Sequence, residues 1–252
     1  MLTVAYRTDV GKVRRINEDA GIWDLDLGFL AIADGMGGHN AGEVAAGMAI
    51  EGVHSFMRKS APGSDFTWPF GIDPKLSFNA NRLLTAAKIA NRLVFRAADQ
   101  RAEYGGMGTT LVTCLVADGQ LTFCSVGDSR LYMLAGSELR QLTRDDSWVV
   151  MLKEQSSLDA DAVDKHPLRR VLTSVIGARS ELDTTARDVE IADGQVLLLS
   201  TDGLHETIPH EEMQSAIVSE PDLERAADAL LAGALARGGR DNITLLLARY
   251  AG

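Results

Sequence analysis

The amino-acid sequence predicts an α+β fold in which antiparallel β-sheets pack against helices. Short apolar and β-branched runs, separated by Asp-Gly, Gly-Asp-Ser and Ala-Gly turns, fill the middle of the chain and are typical of antiparallel strands. The helical segments come in two batches and do not alternate with single strands, which argues against a parallel sheet. Because no internal repeat or linker interrupts the 252 residues, we expect one domain over residues 1–252.

In the first 104 residues, hydrophobic periodicity predicts three strands and two helices. The strands are expected at 2–8, 23–27 and 28–33, with a polar segment at 11–19. A first helix is expected from Asn40, because Asn40 and Glu43 have the spacing of a capping box, and a second at about 77–101. Between the helices, the segment 60–76 is rich in proline, glycine and aromatic residues, which favours a surface loop or a loop that docks a partner.

From residue 105 onward the chain is richer in β-type runs. The runs at 109–117, 121–126 and 130–135 predict an antiparallel meander. Residues 143–183 are polar and mixed, which indicates an inserted flap with short helices. Strands at 185–191 and 195–200, helices at 209–218 and 222–236, and a last strand at 243–250 complete the prediction.

Composition and charge exclude several classes of protein. Apolar residues make up 46% of the chain and charged residues 24%, as in soluble globular proteins. The net charge of −10 argues against a nucleic-acid or anionic-membrane partner. No apolar run approaches the ~20 residues that span a bilayer, and the first residues lack a signal-type apolar core, so we expect a cytoplasmic protein. Cys114 and Cys124 are expected to be buried and unpaired.

Four aspartates lie at the polar ends of apolar, strand-like runs. They are Asp34 after F-L-A-I-A, Asp128 after T-F-C-S-V-G, Asp202 after V-L-L-L-S-T and Asp241 before I-T-L-L-L, and Glu18 and Asp19 add two carboxylates. One such aspartate is typical of a turn, but four could gather at one edge of a packed pair of sheets. Carboxylates gathered there would repel one another and raise one another's pKa unless a cation lay among them.

The ligand type favours Mg²⁺ or Mn²⁺ over zinc or copper, because the donors are all oxygens and there is no cysteine cluster or H-E-x-x-H motif. Two such ions ~3.5–4 Å apart can make hydroxide from water and clamp a transferring phosphoryl group. The phosphate also needs a fixed cation, and Arg14 is the candidate because arginine binds phosphate with two hydrogen bonds. The alternative for Arg14 is a surface arginine like Arg15.

Six short motifs occur in a fixed order along nearly the whole chain. They are G-x-V-R-x-x-N-E-D at 11–19, A-D-G-M-G-G-H-x-A-G-E at 33–43, G-M-G-T-T at 106–110, G-D-S-R at 127–130, S-x-D-G at 200–203 and G-x-D-N at 239–242. Each motif is weak alone, but the ordered set is highly specific. The chain resembles the metal-dependent protein phosphatases of the 2C (PPM) type, in the bacterial serine/threonine phosphatase branch.

This resemblance implies a four-layer α-β-β-α sandwich of two packed antiparallel β-sheets flanked by helices, with a helical flap insertion at about 144–180. It implies two Mn²⁺ or Mg²⁺ ions held by Asp34, the Gly35 carbonyl, Asp202 and Asp241, and a third, weaker metal site at Asp128 with Asp202. Glu18 and Asp19 would act at or near the ions, partly through water. Arg14 matches the phosphate-binding arginine of the family.

The implied activity is hydrolysis of phosphoserine and phosphothreonine in proteins, by in-line attack of a metal-activated water without a phosphoenzyme. The expected partners are phosphorylated proteins, among them a Ser/Thr kinase and its targets, and the chain is expected to be a monomer. The sequence leaves two alternatives open. One is a PPM-like binding or sensing module with weak catalysis, and the other is a phosphatase for small phosphorylated metabolites.

One position departs from the eukaryotic members of the family. They have a histidine directly after the Asp-Gly pair, proposed as the general acid, and this chain has Met36, as is usual in the bacterial branch. His39 and His166 are candidates for the acid that protonates the leaving group, and a metal-bound water is a third candidate. The alternative for His39 is packing at the start of the helix, and the alternative for His166 is a surface residue of the flap before Pro167.

Overall fold

In a computed structural model, which describes residues 1–38, 41–155, 168 and 171–252, the strands form two antiparallel sheets. The strands are β1 (Leu2–Asp9), β2 (Asp19–Asp24), β3 (Phe29–Met36), β4 (Gly108–Thr109), β5 (Leu111–Ala117), β6 (Gln120–Val126), β7 (Arg130–Ala135), β8 (Glu138–Gln141), β9 (Ala186–Glu190), β10 (Val196–Ser200) and β11 (Ile243–Tyr250). Sheet I has the order β1-β11-β10-β7-β8. Sheet II has the order β2-β3-β5-β6-β9, with β4 paired to β3.

Helices cover the outer faces of both sheets. Among the described residues, the α-helices are α1 (Ala41–Lys59), α2 (Phe78–Gln100), α3 (Trp148–Gln155), α4 (Asp202–His205), α5 (His210–Ser219) and α6 (Leu223–Ala236). α1 and α2 pack on sheet II, while α5 and α6 pack on sheet I. Ser77 caps α2, since its hydroxyl accepts a hydrogen bond from the Ala80 N–H at 3.0 Å. The expected cap of α1 at Asn40 lies outside the described residues.

Alternation of side chains along the strands produces the four layers. In β3, Phe29 and Ala31 pack toward α1 and α2, while Leu30 and Ile32 enter the core between the sheets. Apolar residues from both sheets meet in that central core, including Leu121 and Val112 of sheet II and Leu131, Leu197, Leu199 and Leu246 of sheet I. The predicted four-layer α-β-β-α sandwich is therefore confirmed.

The β5–β6 hairpin confirms the predicted Asp-Gly turn and the predicted burial of the cysteines. The prediction that the next strand continues the same meander is wrong. The hairpin turn at Asp118-Gly119, both at positive φ, places Cys114 opposite Phe123, and both cysteines are buried and unpaired. After β6, however, the chain crosses from sheet II to sheet I, where β7 pairs with β8 and β10. Residues 127–129 thus connect the sheets and do not form a hairpin turn.

The N-terminal strands of sheet II also differ from expectation. β2 begins at Asp19, four residues before the predicted start, and β3 continues past Asp34 to Met36. The extension exists because β4 pairs with the end of β3, with Gly35 opposite Thr109. Asp34 therefore lies within a strand and is not a turn residue.

The expected flap is described in part. It contains α3, and two isolated bridges tie its ends, Ser147 to Leu172 and Thr109 to Ile176. Residues 156–167 and 169–170 lie outside the described residues, as does His166.

Candidate metal centre

Strand pairing in sheet II places two of the expected carboxylates side by side. Asp19, the first residue of β2, is paired with Asp34 of β3. The backbone of Asp34 is fixed by the G-M-G-T-T motif, since its N–H donates to Thr110 Oγ1 at 2.9 Å and its carbonyl accepts from Thr109 Oγ1 at 2.8 Å. The Asp34 side chain thus projects from a backbone held on both sides.

Sheet I brings its carboxylates to the same end of the sandwich. β10 ends at Ser200 and β11 begins after Asp241, and because these strands are antiparallel neighbours, Asp202 and Asp241 lie at one edge. A direct hydrogen bond joins the two sheets there, from Thr201 Oγ1 to Asp19 Oδ2 at 2.9 Å. The candidate centre therefore lies where the edges of the two sheets meet.

Asp128 reaches this edge because it lies in the connection between the sheets. The neighbouring Ser129 is buried, and its hydroxyl is 2.7 Å from Thr110 Oγ1, the group that binds the Asp34 backbone. The segment is also held to the base of the flap, since Arg130 pairs with Asp145 at 2.7 Å and the Gly127 N–H donates to Asp146 Oδ2 at 3.1 Å.

The polar segment 11–19 is held against sheet I by Asn242. The buried Asn242 amide donates to the carbonyls of Val10 and Ile16, at 3.0 and 2.9 Å, and its Oδ1 accepts from the Glu18 N–H at 2.9 Å. This segment carries Arg14, whose guanidinium is 2.8 Å from Asp241 Oδ2. The Arg14 side chain is 48% exposed, so it borders the centre and faces solvent.

Gly35 lies where β3 passes the start of α1 and residue 18. A Cβ at this position would collide with the carbonyl oxygens of Gly42 and Glu18. The Gly35 N–H donates to that Glu18 carbonyl at 3.0 Å. Glycine is therefore required for this close approach of three backbone segments.

The electrostatics of the centre are those of crowded carboxylates. Burial, followed by the charges of Asp19 and Asp202, raises the pKa of Asp34 well above its usual range. Burial, followed by the charge of Asp128, raises the pKa of Asp202 to about 7. Burial likewise raises the pKa of Asp19 to about 6. Burial, followed by the charge of Asp145, raises the pKa of Asp128 to about 6. Burial also raises the pKa of Glu18.

These residues fit a divalent cation that prefers oxygen ligands. Asp19 Oδ1 and Asp202 Oδ1 are buried and have no hydrogen-bond partner, which is costly for a carboxylate unless a cation takes that place. In the described part of the chain, no three potential ligand side chains are gathered closely enough to hold one ion as they stand. Ion binding would therefore require the carboxylate side chains to move closer together than they lie here.

The position after the Asp-Gly pair offers no acid. Met36 is 41% exposed on β3, opposite Gly108. His39 and His166, the two candidates for the leaving-group acid, lie outside the described residues.

Several residues at the centre were given no role from the sequence. They are Thr110, Ser129, Thr201 and Asn242, which orient the carboxylates or the segment that carries Arg14. All four lie inside the six motifs, next to the residues that were singled out. Ser129, Thr201 and Asn242 each adjoin one of the aspartates, but the sequence does not show which contacts they make.

Comparisons with known proteins show the family of this chain. The family model for protein phosphatase 2C matches residues 14–237. The chain belongs to the protein phosphatase 2C family. Among its relatives, a serine/threonine phosphatase stp of Listeria welshimeri is 32% identical over 255 residues, covering 96% of this chain and 93% of that protein.

Solved structures of the family superpose over the whole chain. The crystal structure of the Mycobacterium tuberculosis serine/threonine phosphatase PstP/Ppp matches with a TM-score of 0.86 and 31% identity, covering 100% of this chain and 99% of that one. A structure of the catalytic domain of PstP in complex with two manganese ions matches with a TM-score of 0.84 and 30% identity, with the same coverage.

Proposed function

We propose that this chain hydrolyses phosphoserine and phosphothreonine in proteins, using two Mn²⁺ or Mg²⁺ ions held by Asp34, the Gly35 carbonyl, Asp202 and Asp241. It is a serine/threonine protein phosphatase of the metal-dependent 2C family. The observation that carries the site assignment is the meeting of carboxylates from both sheets at one edge, with two buried oxygens left unpaired. We further propose that Asp128, with Asp202, holds a third and weaker ion.

Some side chains of the centre would hold the ions, and others orient the carboxylates or the substrate. When bound, the ions supply hydroxide from water at neutral pH and offset the charge of the phosphoryl group. Thr201 fixes one oxygen of Asp19, while Oδ1 is buried and has no hydrogen-bond partner, so it is available to an ion. Arg14 lies at the rim and can exchange its contact with Asp241 for the oxygens of the substrate phosphate, which binds and orients the substrate. Asn242 holds the segment that presents Arg14.

Wider assignments are proposed beside the site. We propose a single catalytic domain over residues 1–252, a flap at about 144–180 beside the centre, and a monomer that acts in the cytoplasm. Its substrates are phosphorylated proteins, among them a Ser/Thr kinase and that kinase's targets. Among the described residues, no helix is long and apolar enough to cross a bilayer.

Phosphate release from matched phosphothreonine, phosphoserine and phosphotyrosine peptides, measured beside a small metabolite phosphate, tests the proposal. We expect metal-dependent turnover of the first two peptides, and turnover at least tenfold slower for the other two substrates. Preference for the small phosphate would favour the metabolite phosphatase. Absence of turnover on every substrate would favour the binding module, although the relatives' names favour neither alternative.

A further inference from the structure

The exposed side of α2 carries a basic stripe, which we define as Lys88, Arg92 and Arg96. The residues are four apart, so their side chains lie along one face of the helix. Like charges at this spacing lower the stability of a helix. The stripe is also positive although the chain as a whole has a net charge of −10. Among the described residues, none of the three is paired with a carboxylate. A stripe that costs helix stability and has no internal partner indicates an external one.

Two members of the stripe border a cavity beside the segment 60–76. The guanidinium carbon of Arg92 lies 4.4 Å from the centre of the Phe70 ring, and Lys88 Nζ lies 5.9 Å from it. With Ser180 and Leu182, these residues enclose about 300 Å³, and Glu181 is the one acid in the described lining. Because Phe70 holds the guanidinium over its face, the N–H groups of Arg92 remain available for a planar anion.

The cavity is anchored to the metal centre through a short length of backbone. Asn91, 1% exposed, accepts from the Gly177 N–H at 2.8 Å and donates to the Arg179 carbonyl at 2.9 Å. The preceding Ile176 pairs with Thr109, whose hydroxyl binds the Asp34 carbonyl. The four peptide units that join Ile176 to Ser180 span at most ~14 Å. The cavity thus lies outside the centre but within reach of a protein that is bound there.

We propose that the basic stripe docks an acidic segment of the protein substrate, with Asp or Glu carboxylates received by Lys88 and Arg92. This inference rests on the proposed phosphatase function. Carboxylates match the unpaired cations, while Phe70 and Leu182 give the aliphatic parts of the segment an apolar surface. A small phosphate ester cannot span the two places, so the stripe acts on protein substrates alone.

The test compares phosphothreonine peptides that carry an Asp-Glu run six to eight residues before or after the phosphothreonine with peptides that carry Asn-Gln there. For wild type, we expect the KM of one acidic peptide to be about threefold to tenfold lower than that of its Asn-Gln counterpart, at equal kcat. This is the change in affinity that one or two partly exposed ion pairs produce. Lys88→Gln/Arg92→Gln should remove this difference. Arg140→Gln/Arg225→Gln, on sheet I and α6, should keep it, although both variants change the net charge equally, from −10 to −12.

A charge reversal separates docking from an effect on folding. Lys88→Glu/Arg92→Glu should favour a peptide with a Lys-Lys run over the acidic peptide. Lack of any preference in wild type, or a preference that survives in Lys88→Gln/Arg92→Gln, would overturn the proposal. Metal-dependent turnover of p-nitrophenyl phosphate should be the same in every variant. Absence of this turnover in wild type would instead contradict the proposed function. The docking proposal would then be tested by measuring the binding of the acidic and Asn-Gln peptides.

Discussion

Replacing Asp202 by asparagine is expected to stabilise the metal-free protein at pH 8. Burial, followed by the charge of Asp128, raises the pKa of Asp202 to about 7, whereas an unfolded aspartate titrates near ~3.9. A difference of about 3 units corresponds to ~4 kcal/mol of lost stability once the group is ionised in both states. Asparagine still buries a polar side chain at this position, which offsets part of that difference, so we expect a net gain of about 1–3 kcal/mol.

The pH dependence follows from the sign of this shift. Because the pKa of Asp202 is higher in the folded than in the unfolded protein, folding takes up a proton between about pH 4 and 7. The metal-free wild type therefore loses stability as pH rises through that window, and Asp202→Asn loses less. The gap between them should be widest at pH 8 and close near pH 4.

Thermal unfolding followed by circular dichroism in EDTA measures this gap. For a chain of this size, 1–3 kcal/mol corresponds to a rise in Tm of roughly 2–10 °C at pH 8. Asp26→Asn, in the exposed turn after β2, is the matched control and should leave Tm unchanged. Millimolar Mn²⁺ should reverse the order, because the variant lacks a ligand. A variant less stable than wild type in EDTA at pH 8, or a gap independent of pH, would refute the picture of repelling carboxylates.

Two further substitutions test the segment that faces the centre. Arg14→Ala should raise the KM for a phosphothreonine peptide at least tenfold with a smaller change in kcat, because the carboxylates remain, and unchanged steady-state kinetics would return Arg14 to a surface role. Asn242→Ala should lower the free energy of unfolding by about 2–4 kcal/mol, because it leaves buried backbone groups unpaired. Urea unfolding measures this loss, and a variant as stable as wild type would show that Asn242 does not hold the segment.

The sequence predicts the bounds of those helices and strands that have a regular hydrophobic period or clear end signals. α2 agrees with its prediction to within a residue at each end, because Ser77 provides a cap and the apolar face is regular. β11 agrees at both ends, because eight residues from Ile243 form an uninterrupted strand pattern after Asp241-Asn242. The strand-edge aspartates could also be recognised, since each follows or precedes an apolar run.

The remaining features depend on contacts between distant parts of the chain. The turn at 127–129 has the composition of a hairpin, and only the pairing of β7 with β10 shows that it crosses between sheets. The extension of β3 to Met36 depends on β4, which comes 72 residues later (108 − 36 = 72). Likewise, the bond from Thr201 to Asp19 joins residues 182 apart. Local pattern carries no information about which of many threonines makes such a contact.

Phosphate release from a phosphothreonine peptide, measured against Mn²⁺ concentration, tests the central claim most directly. We predict no turnover in EDTA, saturable recovery as Mn²⁺ is restored, and no recovery for Asp34→Asn at any concentration, with circular dichroism showing that the variant is folded. Undiminished turnover by wild type in EDTA, or full recovery by folded Asp34→Asn, would contradict the assignment of a metal centre to the meeting edges of the two sheets.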